Sequence, residues 1–218
     1  MRHGLNPRAA ATYAPGMPTS LIIVDDFLDN PHGLREAALR LTYPPGERMF
    51  PGRNSVERIN LEGLSAQVSR LVGEPVQPMP PTEAHGKCRI TLSGDIGKAK
   101  VHVDRAHWSG ILYLSRPEDC RGGTEFFRHL PTQSDRAPYN DAEARAAGHA
   151  SAKEMTAAIL EDTTDDGKWE MTMRLPMRFN RLVLLRPWLW HTAGEAFGNT
   201  LENGRLVYLM FFSSATRG

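Results

Sequence analysis

From Ala84 onward the chain is written as short strand-like segments, most of them with no helical pattern in between, and this series limits the fold more than any other feature. The segments are KCRITLS (87–93), KAKVHVD (98–104), SGILYLS (109–115), GTEFFRH (123–129), RLVLLRP (181–187) and RLVYLMFF (205–212). Most are β-branched or aromatic and are bounded by Gly, Pro, Asn or Asp. Parallel strands need a long crossover between them, commonly a helix. Without interleaved helices the series favours an antiparallel sandwich or open barrel. Glycine (19) and proline (16) together make about 16% of the 218 residues, above the roughly 12% typical of proteins, as a chain of short strands and many turns requires. With 40% hydrophobic residues there is enough apolar side chain for one core, and the length suits one domain.

Helical pattern is found before and within the series. After a strand-like LIIVDDFL (21–28), PHGLREAALRL predicts a helix over 31–41, with Asn30 as N-cap and Pro31 at the first helical position. Its apolar residues Leu34, Ala37, Ala38 and Leu41 recur on one helical face. A second amphipathic helix is predicted over 61–72, ended by Gly73 and a proline-rich stretch. The run from about 130 to 173 is rich in Ala, Asp and Glu and predicts a helical insertion with a break near Gly148, either a lid or wall for a substrate or a cover for a sheet edge. The domain expectation is an N-terminal arm (1–19) followed by a single domain (20–218), with helices in about 20–80.

Charge and cysteine content exclude several classes. Lys plus Arg total 26 against 25 Asp plus Glu, so no basic field advertises nucleic acid or an anionic membrane. Cys88 and Cys120 are far apart, which indicates neither a disulfide framework nor a zinc knuckle. The apolar runs 182–185 and 206–212 are too short to span a bilayer, and the N-terminus lacks a signal-peptide core. A cytoplasmic protein is the expectation, and nothing in the sequence sets an oligomeric state.

The chemical signal is a metal-ligand spacing. His102 and Asp104 stand at i and i+2, which on a strand puts both side chains on one face with Cα atoms roughly 6.5 Å apart. Alone this means little, since a chain of this composition holds about 0.4 such tripeptides by chance. His191 follows the apolar segment RLVLLRPWLW, and Arg205 opens the apolar RLVYLMFF. An arginine at the head of a buried strand needs an anion. Two histidines and one carboxylate are the ligand set of non-haem Fe(II) oxygenases, and a nearby Arg offers a planar fork for a carboxylate.

In their order, H-V-D (102–104), G-G-T-E-F-F (122–127), L-V-L-L with W-H-T-A (182–193) and G-R-L-V-Y-L (204–209) resemble the Fe(II)/2-oxoglutarate-dependent dioxygenases, and among them a prolyl-hydroxylase-like bacterial branch. The likeness covers about residues 84–212, and VDDFLDNPHGLREAAL resembles the opening segment of some members. It implies a mainly β fold with flanking helices, a distorted double-stranded β-helix of jelly-roll, cupin-like form. It implies Fe(II) on His102, Asp104 and His191, and Arg205 on the far carboxylate of 2-oxoglutarate, with the Tyr113 hydroxyl near that carboxylate or else Tyr113 as core filling. The implied reaction uses O2, decarboxylates 2-oxoglutarate to succinate and CO2, and hydroxylates a small-molecule or peptidyl substrate. Relatives often carry Gly where this chain has Asn180, and Asn tolerates the left-handed turn next best.

Other readings stay open at this level. A cupin-type metal enzyme without 2-oxoglutarate, or a barrel that only binds, would use the same segments. His102 and Asp104 can also be read as a surface pair and His191 as a core histidine. His107 is read as a non-ligand, His85 and Cys88 as one strand away, and His3, His32, His129 and His149 as solvent-facing or capping. Arg186 and Trp188 either line the pocket mouth or pack the sheet. The insertion and the segment 43–54 are expected to flank the metal and set specificity.

Overall fold

The computed structural model describes residues 19–46, 49–81 and 83–215; the arm expected over 1–19 lies almost wholly outside them, as does His3. The elements in chain order are β1 (Leu21–Val24), α1 (Pro31–Leu39), β2 (Arg53–Asn54), α2 (Leu64–Val72), β3 (Val76–Pro78), β4 (Cys88–Thr91), β5 (Trp108–Tyr113), β6 (Gly123–His129), α3 (Asp141–Ala146), α4 (Ala152–Leu160), β7 (Trp169–Pro176), β8 (Leu182–Leu185), β9 (His191–Thr192) and β10 (Arg205–Ser214). Among the described residues the strands form two antiparallel sheets. The larger runs β1-β8-β5-β10-β4-β2, with β3 also on β10, and the smaller runs β7-β6-β9.

Strand alternation decides what each face of the larger sheet does. On β10, Leu206, Tyr208, Met210 and Phe212 pack with Trp108 and Leu112 of β5 and with Leu34, Ala38, Leu64 and Val68 of the two helices. The intervening Val207, with Tyr113 of β5 and Val183 and Leu185 of β8, meets Phe126 and Leu175 of the smaller sheet. One face therefore buries the helices and the other turns toward the second sheet. Burying each of these large apolar side chains is worth about 1.5–3 kcal/mol.

Local signals act as their chemistry predicts. Asn30 caps α1 by accepting from Gly33 N, with Pro31 in the first turn, and Gly73 ends α2 in the left-handed conformation. Asn180 has φ 62°, and its amide both accepts from Leu28 N at 2.9 Å and donates to Leu28 O at 2.8 Å. A glycine there could adopt the turn but would leave this pair of backbone groups unmatched. Gly123 has no substitute: a Cβ would lie 1.7 Å from Leu175 O.

Three expectations need correction. Residues 98–104 do not form a strand. Val101 N donates to Thr163 O, His102 N to His191 O and Asp104 N to Pro187 O, so successive residues bond to different segments and only an isolated bridge, His102 to His191, remains. The helical insertion is shorter than 130–173: its α-helices end at Leu160, a single 3-10 turn follows at Asp166–Lys168, and β7 is a full strand of the smaller sheet. It escaped notice because five consecutive residues, 170–174, are exposed on that edge. His129 is buried, not solvent-facing, its ring bonded to Asp162 Oδ2 at 3.0 Å and Thr132 Oγ1 at 2.9 Å.

Candidate metal centre

His191 opens β9 and pairs across to Phe126 of β6, while His102 lies on the far side of His191 and exchanges two backbone hydrogen bonds with it, 2.9 and 3.1 Å. Asp104 follows two residues later, its backbone held by Pro187 O at 3.1 Å. The three side chains converge, with donor atoms all within 4.8 Å of one another. Asp104 Oδ1 is 3.6 Å from His102 Nε2, and Oδ2 is 3.5 Å from His191 Nε2. Donors about 2.0–2.2 Å from one ion lie at roughly such separations.

Both imidazoles are set in one tautomer by the backbone. His102 Nδ1 faces Lys100 O at 3.0 Å and His191 Nδ1 faces Leu189 O at 2.7 Å. A carbonyl only accepts, so each Nδ1 carries the proton and each Nε2 offers its lone pair when the ring is neutral. Two lone pairs then confront a carboxylate, an arrangement that a cation between them satisfies. Ser109 Oγ donates to Asp104 Oδ2 at 2.6 Å and orients the third ligand.

The electrostatics agree at His102 and Asp104, whereas His191 is shifted toward its protonated form, so that a metal displaces its Nε2 proton. Burial, with the neighbouring His191, pushes His102 down to about 4. Burial also opposes ionisation of Asp104, but the hydrogen bond from His191, both histidine charges and the Ser109 hydroxyl outweigh it and hold the carboxyl well below its ordinary range. At His191 burial is outweighed by Asp104, and the ring is raised. A neutral His102 and an ionised Asp104 are the forms a metal takes.

The triad opens into a cavity of about 420 Å³, whose apolar wall includes Phe50, Met79, Ile111, Leu209 and Phe211. Arg205 lines the same cavity. It is 2% exposed, and its Nε and Nη2 have no hydrogen-bond partner, a donor pair left for an anion. The residues thus fit a metal ion together with a carboxylate-bearing co-substrate. Tyr113 stands on the same sheet face, directly opposite Val207. Its hydroxyl accepts from Thr124 N at 3.0 Å and shares a hydrogen with Thr124 Oγ1 at 2.7 Å.

Neighbouring segments divide between wall and support. Segment 49–54 supplies Phe50, Pro51 and Asn54 to the cavity, and the Phe50 ring sits 4.1 Å from that of His102. Arg89 fixes this segment through Phe50 O, Pro51 O and Asn54 Oδ1; sequence reading missed that role because the contact is long-range. The helical excursion contributes no side chain to the cavity lining. It packs behind the site, with Met155 and Ile159 in one cluster with Val101 and Trp190. Cys88 faces the helices, and His85 binds the backbone of Phe211. Arg186 packs the sheet, its guanidinium 4.1 Å from the Trp108 ring centroid and 5.1 Å from that of Trp188, and reaches His107.

Residues 95–212 match the profile of a family described as "Family of unknown function (DUF6445)". Comparison with curated proteins found no match. Among solved structures, the chain is similar to HygX from Streptomyces hygroscopicus with nickel and 2-oxoglutarate bound, at TM-score 0.52 and 14% identity, over 90% of this chain and 84% of that one. It is also similar to the non-heme alpha ketoglutarate dependent carbocyclase SnoK from nogalamycin biosynthesis, at TM-score 0.51 and 16% identity, over 92% and 88%. At such identities the likeness is one of fold.

Proposed function

The chain belongs to DUF6445, a family of unknown function, and we propose that it is a non-haem Fe(II)- and 2-oxoglutarate-dependent oxygenase on a distorted double-stranded β-helix. The observation that carries the reading is the sharing of one cavity by a two-histidine, one-carboxylate cluster and the buried guanidinium of Arg205, whose Nε and Nη2 have no hydrogen-bond partner. The fold likeness to HygX and SnoK supports it.

In this reading His102, Asp104 and His191 hold the iron. When bound, Fe(II) with 2-oxoglutarate and O2 supplies an oxidative decarboxylation to succinate and CO2 that drives hydroxylation of a small-molecule or peptidyl substrate. The chain's share is placement. The carbonyls of Lys100 and Leu189 keep both Nε2 atoms turned to the metal, and Ser109 keeps Asp104 in line. Three protein ligands leave positions for the oxo acid and O2. Arg205 grips the far carboxylate of 2-oxoglutarate as a two-pronged donor. Phe50, Ile111, Leu209 and Phe211 exclude water, which keeps the reaction coupled to substrate.

Anaerobic addition of Fe(II) and then 2-oxoglutarate is expected to give a visible charge-transfer band that His191→Ala abolishes. Folded, metal-loaded protein without that band overturns the reading in favour of a metal site that does not use 2-oxoglutarate. A band unchanged in His191→Ala removes His191 from the ligand set.

A further inference from the structure

The charged groups of the metal cavity can be accounted for one by one. His102, Asp104 and His191 form the cluster, Ser109 is bonded to Asp104, Arg89 and Asn54 are bonded to each other, and Arg205 lies buried at the inner end. Two charged residues that line the cavity are left over, Arg105 and Glu83. Neither side chain has a hydrogen bond or ion pair among the described residues, and the two do not pair with each other within 4.0 Å.

Both charges are carried by backbone that is tied down. Arg105 directly follows the ligand Asp104, and its loop is pinned on either side, Asp104 N to Pro187 O at 3.1 Å and His107 N to Phe212 O at 2.7 Å. Glu83 N donates to Pro80 O at 3.0 Å. The guanidinium of Arg58 binds the carbonyls of Pro81, Glu83 and His85 and so clamps the strap that carries Glu83. The strap in turn lies along the end of β10, where Met79 N donates to Phe211 O and Gly86 N to Leu209 O. Two tethered loops therefore carry one cation, the exposed Arg105, and one anion, the half-buried Glu83, on a cavity whose lining is otherwise mostly apolar.

We propose that the substrate is a small zwitterion, a free amino acid or close analogue, with its carboxylate on Arg105, its amine on Glu83 and an apolar side chain directed inward. A carboxylate is the natural partner of a guanidinium fork and an ammonium that of a carboxylate, and opposite charges at two points fix orientation as well as affinity. The inference rests on the oxygenase reading above but can fail independently of it.

The test measures succinate formed from 2-oxoglutarate by the Fe(II)-loaded protein with each of the twenty common L-amino acids, then with the N-acetyl and methyl ester forms of those that stimulate. At least one amino acid is expected to stimulate, and either blocked form to lose tenfold or more in kcat/KM. Arg105→Ala and Glu83→Gln are each expected to raise KM for that amino acid at least tenfold with kcat within about twofold. Arg105→Lys should recover part of the loss, and the Fe(II)–2-oxoglutarate band should persist in all three variants. A persistent band with no amino acid stimulating overturns the zwitterion, as do blocked forms that react like the parent or variants with unchanged KM. Loss of the band in wild-type protein overturns the oxygenase reading instead.

Discussion

At the scale of single residues, Arg205 in the cavity and Tyr113 on the same sheet face behave oppositely. A buried guanidinium with two unpartnered nitrogens is costly until an anion arrives, whereas the Tyr113 hydroxyl is already satisfied by Thr124. Arg205→Ala is expected to weaken 2-oxoglutarate by about 2–4 kcal/mol, roughly thirty- to a thousandfold, while Fe(II) affinity changes little; titration of each ligand calorimetrically separates the two. Tyr113→Phe is expected to leave 2-oxoglutarate affinity within about threefold and to lower unfolding free energy by about 1–3 kcal/mol, because Thr124 N is then buried without an acceptor. A large loss of co-substrate affinity in Tyr113→Phe would place its hydroxyl on the carboxylate after all. The residue types of this site were legible because metal and anion chemistry demand them in any fold. The choice between the Tyr113 roles was not, since it depends on Thr124, eleven residues away on another sheet.

At the scale of elements, legibility followed the length of the pairing. β6 and β10 are seven and ten residues long, rich in β-branched and aromatic residues, and were readable from their own sequence. β2 and β9 have two residues each, too few for any period to show. The segment 98–104 read as a strand because Val101 and Val103 alternate with His102 and Asp104, yet its backbone bonds go to three separate segments. One of those, the end of the helical excursion, fixes a proposed ligand. Thr163 O accepts from Val101 N at 3.1 Å, while Thr163 Oγ1 donates to Val101 O at 2.6 Å and accepts from Lys100 N at 3.0 Å. Lys100 O in turn keys His102. Thr163→Val is expected to lower metal affinity roughly ten- to a hundredfold, measured with Ni(II) or Co(II), with Thr163→Ser restoring it. A destabilised protein with unchanged metal affinity would make Thr163 structural only. Beyond α2, Glu74 ties the helix to the large sheet through Trp108 Nε1 at 2.5 Å and Arg186 at 2.6 Å. Burial opposes its ionisation, but hydrogen bonds from Trp108 and His107 and the charge of Arg186 outweigh it, so its pKa is lowered in the fold. Its contribution is therefore complete above the ordinary value of 4.5 and is lost as pH falls below it. Glu74→Gln should flatten the fall of melting temperature between pH 5 and 3; an unchanged slope would show that other carboxylates dominate.

At the scale of the whole molecule, the site belongs to neither sheet alone. His191 comes from the smaller sheet, Arg205 and Ser109 from the larger, and His102 and Asp104 from the irregular segment between β4 and β5. Antiparallel packing of short strands was foreseeable because most of them follow one another without an interleaved helix. The gap that becomes a cavity was not, because it arises where Arg205, Val207, Leu209 and Phe211 alternate onto a face that the smaller sheet leaves partly uncovered. Ligands that bridge two sheets stabilise the assembly only in its folded form, by RT ln(1 + [L]/Kd). At a hundredfold excess over Kd, Fe(II) and 2-oxoglutarate should each add about 2.7 kcal/mol. For a chain of this length that corresponds to roughly 5–10 °C in Tm per ligand. The metal should act alone, and 2-oxoglutarate should act fully only once metal is present, since in the proposed arrangement one end of it binds the ion and the other Arg205. Chelation should return both increments together. In Arg205→Ala the first increment should survive and the second should largely vanish, whereas in His191→Ala both should be lost. Equal stabilisation by 2-oxoglutarate with and without metal would mean that the two ligands occupy separate sites, and the cavity would then not join them.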